Sequence, residues 1–307
     1  SSDLCRMPTG SLKRWTTDRP AGRAAGPCAP QPPARGQVHS VFAGCCNVQL
    51  DSQERLLPLL SASLPLQPHG WSVRLPAGSE CRDWYRSGMP VTLDAAGLQI
   101  GPWPAMECPG QSPAGAFRLP DHGCLSAAGL QLAGRLWAQL WHVPAPASQG
   151  WHCQHPWVWP ACRQGLLSLD EPEQLPAAVA ALVGLGMGLT PSGDDFLCGL
   201  IAAVRLHEPA LLPVLSDCLP ECLSSTRDIS RDYLLLSLDG WFSPLVVRLV
   251  CAVQSACACT ARQDFGRLLA HGASSGRDTA LGLLGGMLAG SAVPFELSVA
   301  SVAVPVV

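Results

Sequence analysis

The sequence predicts an α+β protein in which a β-rich N-terminal domain is followed by a mainly α-helical C-terminal domain. From residue 37 to about 145, short apolar runs are broken by Pro and Gly every eight to twelve residues, a texture typical of short strands. After residue 165 the texture changes to Leu- and Ala-rich runs of helical length. A Pro- and Trp-rich stretch, 143–165, separates these two textures.

The N-terminal half is divided into a leader and a domain. Residues 1–35 are rich in Pro, Arg, Ala and Gly and show no periodicity, so we expect a disordered leader. We assign the β-rich domain to 36–145. Alternation at Val91 and Leu93 predicts a half-buried strand, and the Leu- and Ala-rich run 125–142 predicts one helix.

The C-terminal half is predicted to consist of a linker loop at 146–165 and a helical domain at 166–307. Gly or Pro separates several of the helix-length runs. The predicted helices are 173–185, 194–207, 209–223, 228–238, 243–262, 263–271 and 277–290.

The composition excludes several classes of protein. Of the 307 residues 48% are hydrophobic and 14% charged, which excludes a disordered chain, and a net charge of −3 argues against a nucleic-acid partner. The uncharged, Gly- and Ala-rich stretch near the end of the sequence, 279–295, is too short for a membrane span. Lys13 is the one lysine, which excludes lysine chemistry in the core.

The sequence has fifteen cysteines, an odd number, and no secretory segment precedes them. These observations predict reduced thiols and a cytoplasmic protein.

Two segments of the helical half, 83 residues apart, share a pattern. Gly188–Leu200 and His271–Leu283 both contain Ser-Gly-x-Asp followed by x-x-x-Gly-Leu. The equivalent pairs are Ser192 and Ser275, Gly193 and Gly276, Asp195 and Asp278, Gly199 and Gly282, and Leu200 and Leu283.

Each copy is expected to begin a helix that can bind an anion. Thr190 is a suitable N-cap with Pro191 at the first helical position, and Ser274 or Ser275 can cap the second helix. Open backbone N–H groups and a small Gly would then face a phosphate or carboxylate ligand. The Gly186 and Gly188 loop before the first motif adds room for close approach.

Other interpretations of this pattern stay open. Both motifs can be ordinary capped helices with acidic first turns. Asp194 and Asp195 can cap the helix, bind a metal ion with water, or orient a substrate amide, and Arg277 and Arg227 can supply a counter-ion. A P-loop is excluded because Gly193 is followed by Asp rather than Lys, and the glycine spacing does not fit the dinucleotide fingerprint.

The chain resembles the AllH-type family, the third subunit of bacterial oxamate carbamoyltransferase. The resemblance rests on GLGMGLTPSGDDFLCG, on the later SSGRDTALG and on the early HSVFAGCCNVQL, and it covers roughly Val38 to Leu288. The family usually has Thr where this chain has Ser274, and the first 35 residues have no family counterpart.

The resemblance implies a subunit that interconverts oxalurate plus phosphate with oxamate plus carbamoyl phosphate in anaerobic allantoin catabolism. The implied partners are an FdrA-like subunit and a third carbamoyltransferase subunit, with no nucleic acid and no membrane. No cofactor and no metal centre are implied, although a divalent ion stays open. Asp194, Asp195 and Thr190 are the implied catalytic residues. The implied anion- and substrate-binding residues are Gly186, Gly188, Ser192, Gly193, Ser274, Ser275, Gly276, Asp278, Thr226 and Ser230.

Two further interpretations stay open. The chain can be a non-catalytic assembly or small-acid-binding subunit whose partners carry the chemistry, or a stand-alone binder of small acids. His39, Ser40 and Asn47 of the β-rich half can contribute to a site or can be ordinary strand and turn residues.

Overall fold

The protein is described here by a computed structural model. The structure describes residues 21–30, 32–51, 55–103, 110–119, 123, 125–142, 157–289 and 291. These residues form a strand-rich N-terminal half and a helical C-terminal half, so the predicted α+β class is confirmed. The chain divides into two compact units between Ala114 and Gly115.

The N-terminal unit is built on one seven-stranded sheet with the order β1-β5-β4-β3-β2-β6-β7. Neighbouring strands are antiparallel except for β4 and β5, which are parallel. A short helix, α1 (Cys81–Trp84), lies between β5 and β6. The strands are β1 (Ala21–Ala25), β2 (Ala34–Val41), β3 (Cys45–Leu50), β4 (Leu56–Ser61), β5 (Trp71–Arg74), β6 (Pro90–Asp94) and β7 (Gly97–Ile100).

The burial of the strands follows their sequence patterns. In β6, buried Val91 and Leu93 alternate with exposed neighbours, which confirms the predicted half-buried strand. The central strands β3 and β4 are buried along most of their length, and their apolar runs match that position.

The predicted leader 1–35 is wrong at its C-terminal end, because β1 and the start of β2 lie within it. β1 pairs antiparallel with Trp71–Arg74, and the small side chains of Ala25 and Ala29 are buried in the core. Strand pairing with a distant segment orders a stretch whose Pro- and Gly-rich composition carries no local signal. Residues 1–20 lie outside the described part of the chain.

The helical unit begins earlier than the sequence predicts. Helix α2 (Ala127–His142), which we expected in the β-rich domain, packs within the helical unit. Its amphipathic face buries Leu132, Leu136 and Leu140 in the helical core, and this long-range packing has no signature in the local pattern. Helix α3 (Val158–Leu167) lies largely within the predicted linker 146–165.

The remaining helices follow the predicted runs closely. One prediction is wrong: the run 243–262 is not a single helix, since the chain breaks at Ala256, whose φ is 51°. The helices are α4 (Leu175–Leu182), α5 (Ser192–His207), α6 (Leu212–Cys222), α7 (Asp228–Leu238), α8 (Pro244–Gln254), α9 (Ala258–Leu269) and α10 (Ser275–Leu288). Short 3₁₀ turns lie at Ala114–Ala116, Pro172–Gln174, Pro209–Leu211 and Leu223–Ser225. No helix in the described ranges is long and apolar enough to cross a membrane.

Helices α5 and α10, which carry the two repeated motifs, pack against each other at very short range. A Cβ on Gly199 would lie 2.0 Å from the carbonyl oxygen of Thr279, and a Cβ on Gly282 would lie 1.9 Å from that of Phe196. Phe196 has the same position in the first motif as Thr279 has in the second. The two contacts are therefore equivalent, with the glycine on α5 in one and on α10 in the other. Further along, a Cβ on Gly286 would lie 2.6 Å from the Cβ of Ala203, its equivalent.

This pairing of equivalent residues has a geometric consequence. Contacts advance along both helices in the same direction, so α5 and α10 run parallel and are related by an approximate two-fold axis. Their N-termini therefore lie side by side, and the positive ends of both helix dipoles point the same way. The repeat places its two motifs in one location.

A methyl group at this contact should destabilise the protein. We expect Gly282→Ala to lower the free energy of unfolding by about 1–3 kcal/mol, the cost of overpacking a core. The control is Gly266→Ala in α9, where a Cβ would meet nothing within 4 Å. That change should raise stability by up to about 1 kcal/mol through helix propensity. Urea unfolding measures both changes, and equal effects of the two substitutions would contradict the close helix contact.

Candidate functional site

A glycine-rich loop leads into α5. Gly184, Gly186 and Gly188 all have positive φ values, 76°, 123° and 95°, which L side chains rarely adopt. A Cβ on Gly184 would lie 2.1 Å from the carbonyl oxygen of Ser225, and one on Gly186 would lie 2.6 Å from the amide nitrogen of Ser192. A Cβ on Gly188 would meet nothing within 4 Å. The first two glycines allow close backbone packing, and the third faces open space.

The first turn of α5 is not capped by Thr190, contrary to the prediction. Pro191 occupies the N-cap position, and its carbonyl oxygen accepts the N–H groups of Asp194 and Asp195 at 3.0 and 3.1 Å. The N–H of Gly193 donates to the carbonyl of Leu185 at 2.8 Å. Thr190 therefore keeps its hydroxyl for another partner.

The first turn of α10 is arranged in the same way. Ser274 is at the N-cap without a capping bond from its side chain, and its carbonyl oxygen accepts the N–H groups of Arg277 and Asp278 at 2.8 and 3.0 Å. The N–H of Gly276 donates to the carbonyl of His271 at 3.0 Å. Three N–H groups of each first turn thus bind protein carbonyls, so the expectation that they stand open for an anion is wrong.

The two motif glycines also have a different role from the one expected. A Cβ on Gly193 would lie 2.1 Å from the carbonyl oxygen of Leu182, and one on Gly276 would lie 1.7 Å from that of Leu268. Each glycine lets its helix start approach the C-terminal end of the preceding helix. The space beside each one is filled by protein backbone rather than left for a ligand.

The functional groups of the two motifs meet across the approximate two-fold axis. The hydroxyl oxygens of Thr190 and Ser275 are 2.8 Å apart and hydrogen-bonded. Both hydroxyls bond to Asp195, and the hydroxyls of Ser192 and Ser274 bond to Asp278. Since Ser192 and Ser275 are equivalent, each helix start offers its serine to the aspartate of the other. We call Thr190, Ser192, Asp195, Ser274, Ser275 and Asp278 the paired-motif site.

Burial of both carboxyls favours their neutral forms. Burial raises the pKa of Asp278 to about 7, while the hydroxyls of Ser192 and Ser274 and the charge of Arg277 moderate the rise. The pKa of Asp195 is raised well above its usual value, first by burial and then by the nearby charge of Asp278. The Oδ2 atoms of both residues are buried and find no hydrogen-bond partner among the described groups. A protonated carboxyl carries no charge and avoids most of the desolvation cost.

Asp194 anchors the glycine loop rather than facing the paired motifs. Its Oδ1 accepts the N–H of Gly184 at 2.7 Å, and its Oδ2 accepts a hydrogen bond from the hydroxyl of Thr226. Burial raises its pKa, and these two bonds and the hydroxyl of Ser230 offset part of that rise. Ser230 also donates to the carbonyl of Leu189 at 3.4 Å. Thr226 and Ser230 thus contact Asp194 and the loop before α5 rather than the carboxyls of the paired-motif site.

The two arginines considered as counter-ions differ in position. The guanidinium of Arg277 is buried and donates to the carbonyl of Leu140. Arg227 is exposed at the N-cap of α7, next to Thr226. Of the two, Arg227 is the one whose charge faces solvent.

Two cysteines near the carboxyls were not predicted as part of the site. Burial is the largest cause of the raised pKa of Cys198, and the charges of Asp195 and Asp194 raise that pKa further. Burial and then the charge of Asp278 raise the pKa of Cys162. Cys198 is one helical turn after Asp194, a spacing that could have indicated its position. Within the described residues, no group of three or more His, Cys, Asp or Glu side chains could hold a metal ion.

In the N-terminal unit, the structure brings His39, Ser40 and Asn47 together. Asn47 is buried and donates from Nδ2 to the hydroxyl oxygen of Ser40 at 3.0 Å, and the Nδ1 atom of His39 is 3.2 Å from the same oxygen. A register shift between Val38 and Ser40 marks a β-bulge there. The cluster is a local polar network of two paired strands.

Two family models match the chain. Residues 182–287, which contain both motifs, match a model described as oxamate carbamoyltransferase subunit AllH. Residues 23–110 match a model described as the AllH family N-terminal domain. Together these matches cover more than half of the sequence, and they include the paired-motif site and all of the sheet except Ala21 and Gly22. No solved structure matches the chain.

The raised pKa of Asp278 predicts a distinctive pH dependence of stability. An unfolded aspartate ionises near pH 3.9, about three pKa units below the value of about 7 for folded Asp278. Between these pH values the folded state holds more protons, so the free energy of unfolding should fall as pH rises from about 4 to 7. Asp278→Asn should make this slope shallower and raise stability at pH 8.

Asp264 is the matched control, because it too is 2% exposed but forms ion pairs with Arg267 at 2.9 Å and Arg248 at 3.5 Å. Asp264→Asn should lower stability at pH 8 by about 1 kcal/mol, since both arginines are half-exposed. Chemical unfolding at several pH values measures all three proteins. Equal losses at pH 8 in both variants would contradict the raised pKa of Asp278.

Proposed function

The chain belongs to the AllH family of oxamate carbamoyltransferase subunits, and from this membership we propose that it contributes the paired-motif site to carbamoyl transfer within an assembled complex. The reaction is the interconversion of oxalurate plus phosphate with oxamate plus carbamoyl phosphate. The observation that carries the proposal is the meeting of two distant motifs at one place, where the hydroxyls of Thr190 and Ser275 bond to each other and to the buried carboxyl of Asp195.

The chemistry of the transfer requires a proton donor. A phosphate oxygen bonds to the carbamoyl carbon of oxalurate, and the bond from that carbon to the oxamate nitrogen breaks. The leaving nitrogen must gain a proton to become the amide of oxamate. In the reverse direction, the same proton must be removed. A carboxyl that is neutral at neutral pH can donate the proton and accept it back.

The geometry supports a division of labour between the hydroxyls and Asp195. The carboxyl of Asp195 is buried, whereas Thr190 and Ser275 are half-buried and bond to it. We propose that one of these hydroxyls donates a hydrogen bond to the carbamoyl oxygen, while the other gives its proton to the leaving nitrogen and takes a proton from Asp195 in its place. Asp278 holds Ser192 and Ser274 in the equivalent arrangement. Asp194 acts as a positioning residue through Gly184 and Thr226.

The alternative function is a non-catalytic assembly or small-acid-binding subunit. It is favoured by one observation, namely that three first-turn N–H groups of each motif helix already bind protein carbonyls. Anion binding and the chemical step would then both lie on partner subunits, and the paired motifs would stabilise the fold.

The proposed partners and pathway follow from the resemblance. We propose that the partners are an FdrA-like subunit and a third carbamoyltransferase subunit, and that the pathway is anaerobic allantoin catabolism. We also propose a cytoplasmic location, which is supported by the finding that every cysteine in the described ranges is free. No cofactor is proposed.

The test is carbamoyl phosphate formation from oxalurate and phosphate by the reconstituted complex. Asp195→Asn keeps the shape and the hydrogen-bonding capacity of the side chain but removes the transferable proton. We expect turnover to fall about 10²- to 10⁴-fold, the usual contribution of a general acid. Asp228→Asn is the control, because Asp228 lies near Thr226 but pairs with Arg231 at the surface.

Two outcomes would contradict the proposal. Full turnover by the Asp195→Asn complex would remove the proton-donating role. Full turnover by the partner subunits without this chain would leave the chain with the non-catalytic role.

A further inference from the structure

The loop before α5 presents apolar side chains at the surface beside the paired-motif site. Met187 is 70% exposed and Leu189 is 43% exposed. Leu189 directly precedes Thr190, whose hydroxyl is part of the site. The two apolar side chains flank Gly188, beside which there is open space. We call Met187, Gly188 and Leu189 the apolar loop tip.

The loop is held in this conformation by contacts on both sides of the tip. Before the tip, Gly184 donates its N–H to Asp194, and the carbonyl of Leu185 accepts the N–H of Gly193. At the tip, the carbonyl of Leu189 accepts the hydroxyl of Ser230. The exposed apolar side chains are therefore fixed outward by polar contacts of their own backbone. A preorganised apolar surface of this kind loses little conformational entropy when another protein covers it.

The groups of the neighbouring site that could bind an anion point to what covers the tip. The guanidinium of Arg277 is directed to the carbonyl of Leu140. Arg227 is exposed beside Thr226, which bonds to Asp194 rather than to the paired motifs. The reactants of the proposed function are all anions: oxalurate, phosphate, oxamate and carbamoyl phosphate. The first-turn N–H groups that could have bound an anion are largely occupied. This step rests on the proposed function.

We propose that the apolar loop tip is the docking surface for a partner subunit of the complex, whose contact face combines an apolar socket with arginine or lysine side chains. The socket takes Met187 and Leu189, and the cationic side chains come to lie over the paired-motif site, where they bind the phosphate and carboxylate groups. Methionine suits such a contact because its flexible side chain adapts to the surface that covers it. The anion-binding half of the site is thus supplied by the partner.

Subunit assembly tests the docking surface with a matched pair of substitutions. Leu189→Ser and Leu64→Ser remove the same side chain at similar exposure, 43% and 38%, and Leu64 lies in the N-terminal unit. We expect Leu189→Ser and Met187→Ser each to weaken assembly with the partner subunits about tenfold or more, as truncation of an interface anchor does. Leu64→Ser should leave assembly unchanged. Titration of labelled chain with the partners measures the affinity, and an unchanged melting temperature of the isolated variants shows that they fold.

Assembly that is equally strong in all variants would overturn the proposal. So would self-association of the isolated chain that Leu189→Ser abolishes, because a second copy would then be the occupant of the loop tip.

Binding of inorganic phosphate tests where the cations come from. Calorimetry should show phosphate binding to the assembled complex and at least tenfold weaker binding to the isolated chain. Equal affinity of the two for phosphate would overturn the assignment of the cations to the partner.

The docking surface and the proposed function fail in different ways. The Asp195→Asn chain should assemble normally yet turn over slowly. If it assembles and turns over at the full rate, the proposed function fails and the docking surface stands. If Leu189→Ser assembles at full strength while Asp195→Asn is inactive, the docking surface fails and the proposed function stands.

Discussion

The close parallel packing of α5 on α10 is the constraint on which the rest of the helical unit depends. Glycine at equivalent positions of both helices brings the backbones together, and the two N-termini become neighbours as a result. The serine of each motif then lies within reach of the aspartate of the other. A larger residue at Gly199 or Gly282 would separate the helices, and the reciprocal contacts between hydroxyls and carboxyls would be lost with them.

This arrangement gives the site its chemical character. Two carboxyls buried together are best accommodated as neutral acids, which donate or accept a proton without carrying a permanent charge. The site is also unsuited to hold anions by itself, because the first-turn N–H groups bind protein carbonyls. A subunit with a proton source but with few open anion-binding groups fits a complex in which another chain completes the site. The rigid apolar loop tip beside Thr190 provides the place for that contact.

The features that could be predicted from sequence are those with local signatures. The repeat, the start of α10 and the alternation in β6 depend on neighbouring residues, and each lies where its pattern indicated, whereas the N-cap of α5 is Pro191 instead of the predicted Thr190. The features that could not be predicted depend on distant partners. The sequence predicts that Thr190 is a helix N-cap, yet its hydroxyl bonds to Ser275, 85 residues further along the chain. Helix α2 and strand β1 were placed wrongly because tertiary packing, not periodicity, decides which unit they join.

The most direct test of this account is the protonation state of the buried carboxyls in the folded protein. Infrared spectroscopy separates the carbonyl stretch of a protonated carboxyl from the absorption of carboxylates and amides. We expect a protonated carboxyl band at pH 7 in the wild-type chain. The band should be weaker in Asp195→Asn and unchanged in Asp264→Asn, because the wild-type Asp264 pairs with two arginines. A wild-type spectrum without that band at pH 7, from a folded chain, would contradict it.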